Sequence, residues 1–281
     1  EVTIVHTGYA DKAMVYRKSL RNKELLQLEL ACEHDSTDPT LLMNMGDCHL
    51  KLGERGDAQT CYARICAQPD AYHRNSDVFV QAHINLATLY MKEGRCREAS
   101  RFLLRSLFLD PTRTESHLRL GKIYLKRGMH RKAADHFLKA ARIHPPLRLT
   151  ASNTTMVRLN AIWHLADIYI QAGHYQEAET VLEAALQSYP QVPRFYSQRG
   201  DIRRLSGDLV QAARYYSQAL TLSPTCNEQA YLGMAAVYRS LGDLSTARTF
   251  LTRGLSFHPQ SGELRDALEA VADRRGQLQT V

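Results

Sequence analysis

Between residues 116 and 145 the apolar positions fall in two runs, each with the spacing of one helical face. Leu118, Leu120, Ile123, Tyr124 and Leu125 form the first apolar flank, over residues 117–126. Gly128 then supplies the positive φ that ends a helix at low cost. Ala133, Ala134, Phe137, Ala140 and Ala141 form the second face, over residues 131–143, before Pro145 denies the chain another backbone donor. The pattern predicts an antiparallel helix pair. Gly121, Ala133 and Ala140 sit where two backbones approach, while Leu120, Tyr124 and Phe137 fill the space beside them. One such pair cannot bury its apolar faces alone.

The rest of the chain supplies its neighbours. A glycine follows the first helix at Gly53, Gly94, Gly128, Gly173, Gly207 and Gly242, and an alanine stands five residues after each, at Ala58, Ala99, Ala133, Ala178, Ala212 and Ala247. The glycines are 41, 34, 45, 34 and 35 residues apart, a period of 34 with small insertions. This pattern resembles the tetratricopeptide repeat. Leu86-Ala87-Tyr90, Leu120-Gly121-Tyr124, Leu165-Ala166-Tyr169 and Met234-Ala235-Tyr238 match its first helix. Tyr62, Phe137 and Tyr216, with Pro111, Pro145, Pro190, Pro224 and Pro259, match its second. His49 and Arg203 replace the tyrosine, and Pro69 comes one residue early. The resemblance implies an all-α fold, a right-handed superhelical solenoid of six helix pairs with capping helices.

The expected division is an extended segment at 1–12, a capping helix and linker at 13–38, repeats at 39–72, 80–113, 114–147, 159–192, 193–226 and 228–261, and a capping helix and tail at 262–281. Residues 1–9 alternate as a short strand would. The capping helix carries Met14, Leu25, Leu26, Leu28 and Leu30. Residues 73–79 are an insertion in which Ser76 is the expected N-cap, and residues 148–158 are a second, a loop running into a lengthened helix.

The first 46 residues carry another resemblance. His6, Gly8, Tyr9, Lys18, Arg21, Asn22, Leu25, Leu26, Glu29, Leu30, Asp38, Pro39, Asn44 and Gly46 resemble the junction at which a bacterial family-2-type glycosyltransferase domain passes into a repeat tail. That resemblance implies a recruiting tail, with His6 at the place of a metal-site histidine. The nucleotide-binding strands and acidic metal motif of that family are absent from these residues, so no sugar transfer is expected of this chain, which the missing initiator methionine suggests is a piece of something longer.

Composition narrows the rest. Six cysteines lie in or beside helices without CxxC spacing, which points to a reducing, cytoplasmic compartment. No apolar run is long enough for a bilayer span. Phosphate-loop, zincin and hydrolase-elbow motifs are absent, so neither catalysis nor a cofactor is expected. The histidines are scattered. His83 and His117 share a repeat position and are expected to pack in the core, while His130 with His136, or His164 with His174, could approach one another without a third ligand.

What the repeat selects is a groove lined by first helices. Just before the Leu-Gly/Ala pair stand Asn44, Asn85, Arg119, His164 and Gln198. The set resembles the asparagine ladder in the repeats of O-linked sugar transferases, although only Asn44 and Asn85 keep the asparagine. Seven residues on stand Lys51, Lys92 and Lys126, with Lys122 and Asp167 nearby. The carboxylate clamp of chaperone-binding relatives is excluded by Met43 and Asp47. Lys51, Lys92 and Lys126 make the first half of the groove basic; residues 95–148 hold fourteen Lys and Arg against four Asp and Glu within a chain of net charge +7, and part of that excess, such as Arg101, Arg105, Arg131 and Lys139, belongs to second helices and so to the outer surface. Aromatic residues are not interleaved with that charge, which argues against nucleic acid. The reading is a non-catalytic scaffold for an extended, acidic protein segment, with homo-oligomerisation left open.

Overall fold

In a computed structural model, residues 12–32, 38–68, 70–144, 153–225 and 227–278 are described. They contain fifteen helices and no strand. The strand expected at 1–9, with His6, Gly8 and Tyr9, lies outside the described residues, as do residues 148–152 of the second insertion, whose remainder, 153–158, leads into the helix that begins at Thr154.

The chain divides into two compact units, 1–158 and 159–281. The first contains α1 (Lys12–Cys32), α2 (Pro39–Leu52), α3 (Arg55–Ala67), α4 (Ala71–Arg74), α5 (Ser76–Lys92), α6 (Cys96–Leu109), α7 (Thr114–Lys126) and α8 (His130–Arg142). Then come α9 (Thr154–Gln171), α10 (Tyr175–Ser188), α11 (Pro193–Leu205), α12 (Leu209–Leu222), α13 (Glu228–Ser240), α14 (Leu244–Phe257) and α15 (Gly262–Leu278). In the first unit α2 pairs with α3, α5 with α6 and α7 with α8; in the second, α11 pairs with α12 and α13 with α14. The fold is a helical-repeat solenoid.

The glycines after the first helices behave as the spacing predicts. All six have φ between +71° and +86°, a region open to glycine at no steric cost. The six alanines are fully buried. Four residues after each alanine stands the side chain that fills the pair, namely Tyr62, Leu103, Phe137, Leu182, Tyr216 and Leu251, all fully buried. Size is matched across the crossing. The rings of Tyr62, Phe137 and Tyr216 lie against Gly46, Gly121 and Gly200, where an added Cβ would come within 2.6, 2.5 and 2.5 Å of a ring carbon. The leucines go with Ala87, Ala166 and Ala235 at the corresponding first-helix position.

Local capping differs from expectation at one residue. Asn75 caps α5, its side chain accepting from the Val78 amide at 3.2 Å, and Ser76 is the first helical residue. The Asn75 oxygen reaches back over the first turn, which a serine one place later does not. Just before it, the end of the first repeat and the start of the insertion form the one-turn helix α4. The capping helix α1 also departs from the simple picture. It packs against α2 through buried Ser19 and half-buried Val15, Lys23 and Leu26, leaving Met14, Leu25 and Leu28 exposed. Helix α15 buries Leu264 and Val271 against α14.

Candidate partner-binding groove

The first helices α2, α5 and α7 pack in succession within the first unit. The ladder positions on them have a different employment from the expected one. Asn85 Nδ2 lies 3.5 Å from Asp47 Oδ1 and from the Met43 sulfur, both on α2. Arg119 Nε donates to Thr88 Oγ1 on α5 at 2.9 Å, and burial lowers the guanidinium pKa. In the second unit, Gln198 is 1% exposed and donates to the Trp163 carbonyl at 2.9 Å. Each of these side chains fastens one first helix to the first helix before it. Gln198 is therefore corrected from a groove residue to a buried staple, and Asn85 and Arg119 are half-buried staples. His164 is half-buried, its ring edge-on to Trp163 at 4.7 Å. Asp167, half-buried, accepts from Gln171 at 2.9 Å, and desolvation raises its carboxyl pKa.

Asn44 is the exception. The helix before α2 is α1, and the two leave a cleft of about 400 Å³ lined by Asn22, Leu25, Leu26, Asn44, Asp47, Cys48 and Lys51. Asn44 and Lys51 are exposed in it. Asp47 accepts the Tyr62 hydroxyl at 2.6 Å, and desolvation first of all raises the Cys48 thiol above its ordinary value. The sequence assigns Leu25 to a capping helix, and Asn22 and Leu25 to the junction resemblance, but neither to the groove. The sequence signal for their role is the same one that predicts the groove, because α1 stands where a preceding repeat would. Lys92, Lys122 and Lys126 are also exposed, and Lys51, Lys92 and Lys126 each occupy the last turn of their helix.

His83 and His117 are buried, as their shared position predicts. His136 meets His117, with Nδ1 to Nδ1 at 3.0 Å, rather than His130. His117 Nε2 lies 3.3 Å from the Pro111 carbonyl, so its Nε2 carries the proton, its Nδ1 accepts, and His136 donates. His49, Glu54 and Asp57 bring ligand atoms within 4.8 Å of one another. Lys23 Nζ already holds both Glu54 oxygens, at 2.8 and 3.0 Å, supplying the positive charge that an ion would bring. His174 pairs with Glu177 at 3.1 Å on the surface. No described helix is long and apolar enough to cross a membrane.

Comparison with known proteins places these features in a family. A model described as tetratricopeptide repeat matches residues 84–147 and 165–225, and a second such model matches 204–271. Tetratricopeptide repeat protein 7B of Homo sapiens is 29% identical over 119 residues, 42% of this chain but only 14% of that protein. A tetratricopeptide repeat protein from Parabacteroides merdae superposes with a TM-score of 0.61 at 17% identity, over 93% of this chain and 98% of that one. PilF of Pseudomonas aeruginosa superposes with a TM-score of 0.60 at 16% identity, over 82% of this chain and 96% of its own. Likeness at these identities is likeness of fold.

Proposed function

The chain belongs to the tetratricopeptide repeat family, and we propose that its first unit is a non-catalytic scaffold holding an extended, acidic protein segment along α2, α5 and α7. The observation that carries this reading is the cleft between α1 and α2. Its amides, Asn22 and Asn44, can hydrogen-bond a peptide backbone; Leu25 and Leu26 offer apolar contact; and Lys51 offers a partner for a carboxylate. Lys92 and Lys126 repeat that charge at the ends of α5 and α7. Cations at helix C-termini also complement the macrodipole, which gives the lysines a local reason to be there. The exposed Asn44 has no such local reason. Attraction of this kind acts mainly on association and is screened over about 8 Å at physiological ionic strength.

The test uses a fluorescein-labelled peptide of alternating Glu and Leu, titrated by anisotropy at low and at physiological salt. The Lys51→Glu/Lys92→Glu variant should bind at least about tenfold more weakly at low salt, with a smaller difference at high salt and an unchanged helical circular dichroism spectrum. Asn44→Ala should weaken binding without changing the salt slope. Equal affinity of parent and double variant at low salt would reduce the lysines to a solvated surface.

A further inference from the structure

The insertion between the first two helix pairs builds a cleft that the repeat pattern does not call for. Where a tight turn would serve, α4 and the start of α5 bring Tyr72, His73 and Phe79 over α3 and α6. Together with Cys66, Ala67, Gln68, Arg105 and Leu109 they enclose about 280 Å³. The aromatic rings here support one another: Tyr72 stands edge-on to Phe79 at 5.9 Å, and Phe79 edge-on to His83 at 4.7 Å. Behind them the Cys66 sulfur lies 3.5 Å from His83 Nδ1, and burial pushes its thiol up to about 12, so no thiolate opposes an incoming anion.

The rim is basic and apolar at once. Arg105 lies over the Phe108 ring at 5.3 Å, and none of the ion pairs among the described residues uses it. Phe108 is 76% exposed and Leu104 49% exposed, and Arg101, also exposed, stands one turn before Arg105 on α6. A large ring left in water beside an uncommitted guanidinium is the arrangement found where Arg and aromatic residues anchor a partner.

We propose that this cleft is a second binding site, separate from the groove on the first helices, and that it takes one aromatic side chain of a partner protein segment flanked by carboxylates. The ring fills the cleft against Tyr72, Phe79 and Leu109, a volume suited to one such side chain and little more. The carboxylates engage Arg105 and Arg101, whose planar guanidinium groups can take an oxygen pair side on. Phe108 and Leu104 cover the flanking segment.

The experiment titrates the full chain with a fluorescein-labelled pentapeptide, acetyl-Asp-Glu-Trp-Glu-Asp-amide, by fluorescence anisotropy up to millimolar protein. Two variants alter the cleft at exposed positions: Arg105→Glu removes the anion partner, and Ala67→Trp fills the mouth. Each should weaken binding at least about tenfold while leaving the circular dichroism spectrum unchanged. In the Lys51→Glu/Lys92→Glu background, where the groove no longer takes acidic peptides, the probe should still bind and Ala67→Trp should still weaken it at least about tenfold, which separates the site from the one proposed above. Replacing the probe's Trp by Ala, or its acids by Lys, should abolish binding. Absence of binding to the parent, unchanged affinity in Ala67→Trp, equal affinity for the Ala probe, or loss confined to the groove variant would each overturn the proposal.

Discussion

At Gly121 a missing methyl group is what admits the Phe137 ring, which is fully buried and has nowhere to retreat. Gly121→Ala should therefore cost about 1–3 kcal/mol by overpacking, read as a lower denaturant midpoint. Adding Phe137→Leu to it should recover part of that loss, because Ala with Leu is the combination found at Ala87 and Leu103. The same logic reaches the neighbouring residue. Tyr62 and Tyr216 each donate to an Asp following the glycine, Asp47 or Asp201, at 2.6 Å. Phe137, which has no hydroxyl, goes with Lys122. These pairings stand in the sequence, but they become visible only when the two helices of a pair are read against each other at a separation of fifteen residues. A second prediction at this scale concerns His136, which faces His117 and the stacked Tyr124 ring, with Asp135 and Lys139 beside it on its own helix. Burial, and then the neighbouring His117, bring its pKa from an ordinary 6.5 to about 4. For a base held neutral in the fold, the contribution to stability is full above pH 6.5 and is lost as pH falls toward 4, because the unfolded chain takes up the proton first. The thermal midpoint should fall across that window. His136→Phe should flatten the slope by at most one proton's worth, about 1.4 kcal/mol per pH unit.

Among the elements, α1 is held in an unusual way for a cap. Its large apolar residues Met14, Leu25 and Leu28 are exposed, and a polar link joins it to the turn between α2 and α3. Glu54 receives Lys23 from α1 and lies 2.5 Å from His49 Nδ1 on α2. The Lys23 hydrogen bond, followed by the His49 one, lowers its carboxyl pKa, so the link is complete above the ordinary carboxylate value and fails as pH falls through the lowered one. Glu54→Gln should loosen α1 without unfolding α2 or α3. Hydrogen exchange checks this: amides of residues 12–32 should lose protection while those of 55–67 keep it, and equal loss in both would make Glu54 a general support of the fold. Helix ends were legible in the sequence because glycine at positive φ leaves a residue-type signature. The one-turn α4 was not, since four residues carry no period, and Asn75 and Ser76 differ as caps only in which side chain reaches the Val78 amide.

For the molecule as a whole, the period of 34 specifies the architecture, while the groove positions are defined only within a single repeat, which is why Gln198 and Arg119 turn toward a neighbouring helix against expectation. Whether a polar side chain meets a ligand or the helix before it depends on a residue roughly one repeat away, such as Trp163 or Thr88, and position within a repeat does not carry that information. The buried ring and its glycine, by contrast, are only sixteen residues apart at Gly46 and Tyr62, Gly121 and Phe137, and Gly200 and Tyr216. Closing such a short loop costs little chain entropy, and contacts this local allow fast, independent nucleation. On a ribosome delivering the chain from its N-terminus, each helix pair can close its own crossing before the next has been synthesised, and the staples between first helices then need only join a new pair to one already formed. The order of synthesis and the order of assembly can coincide.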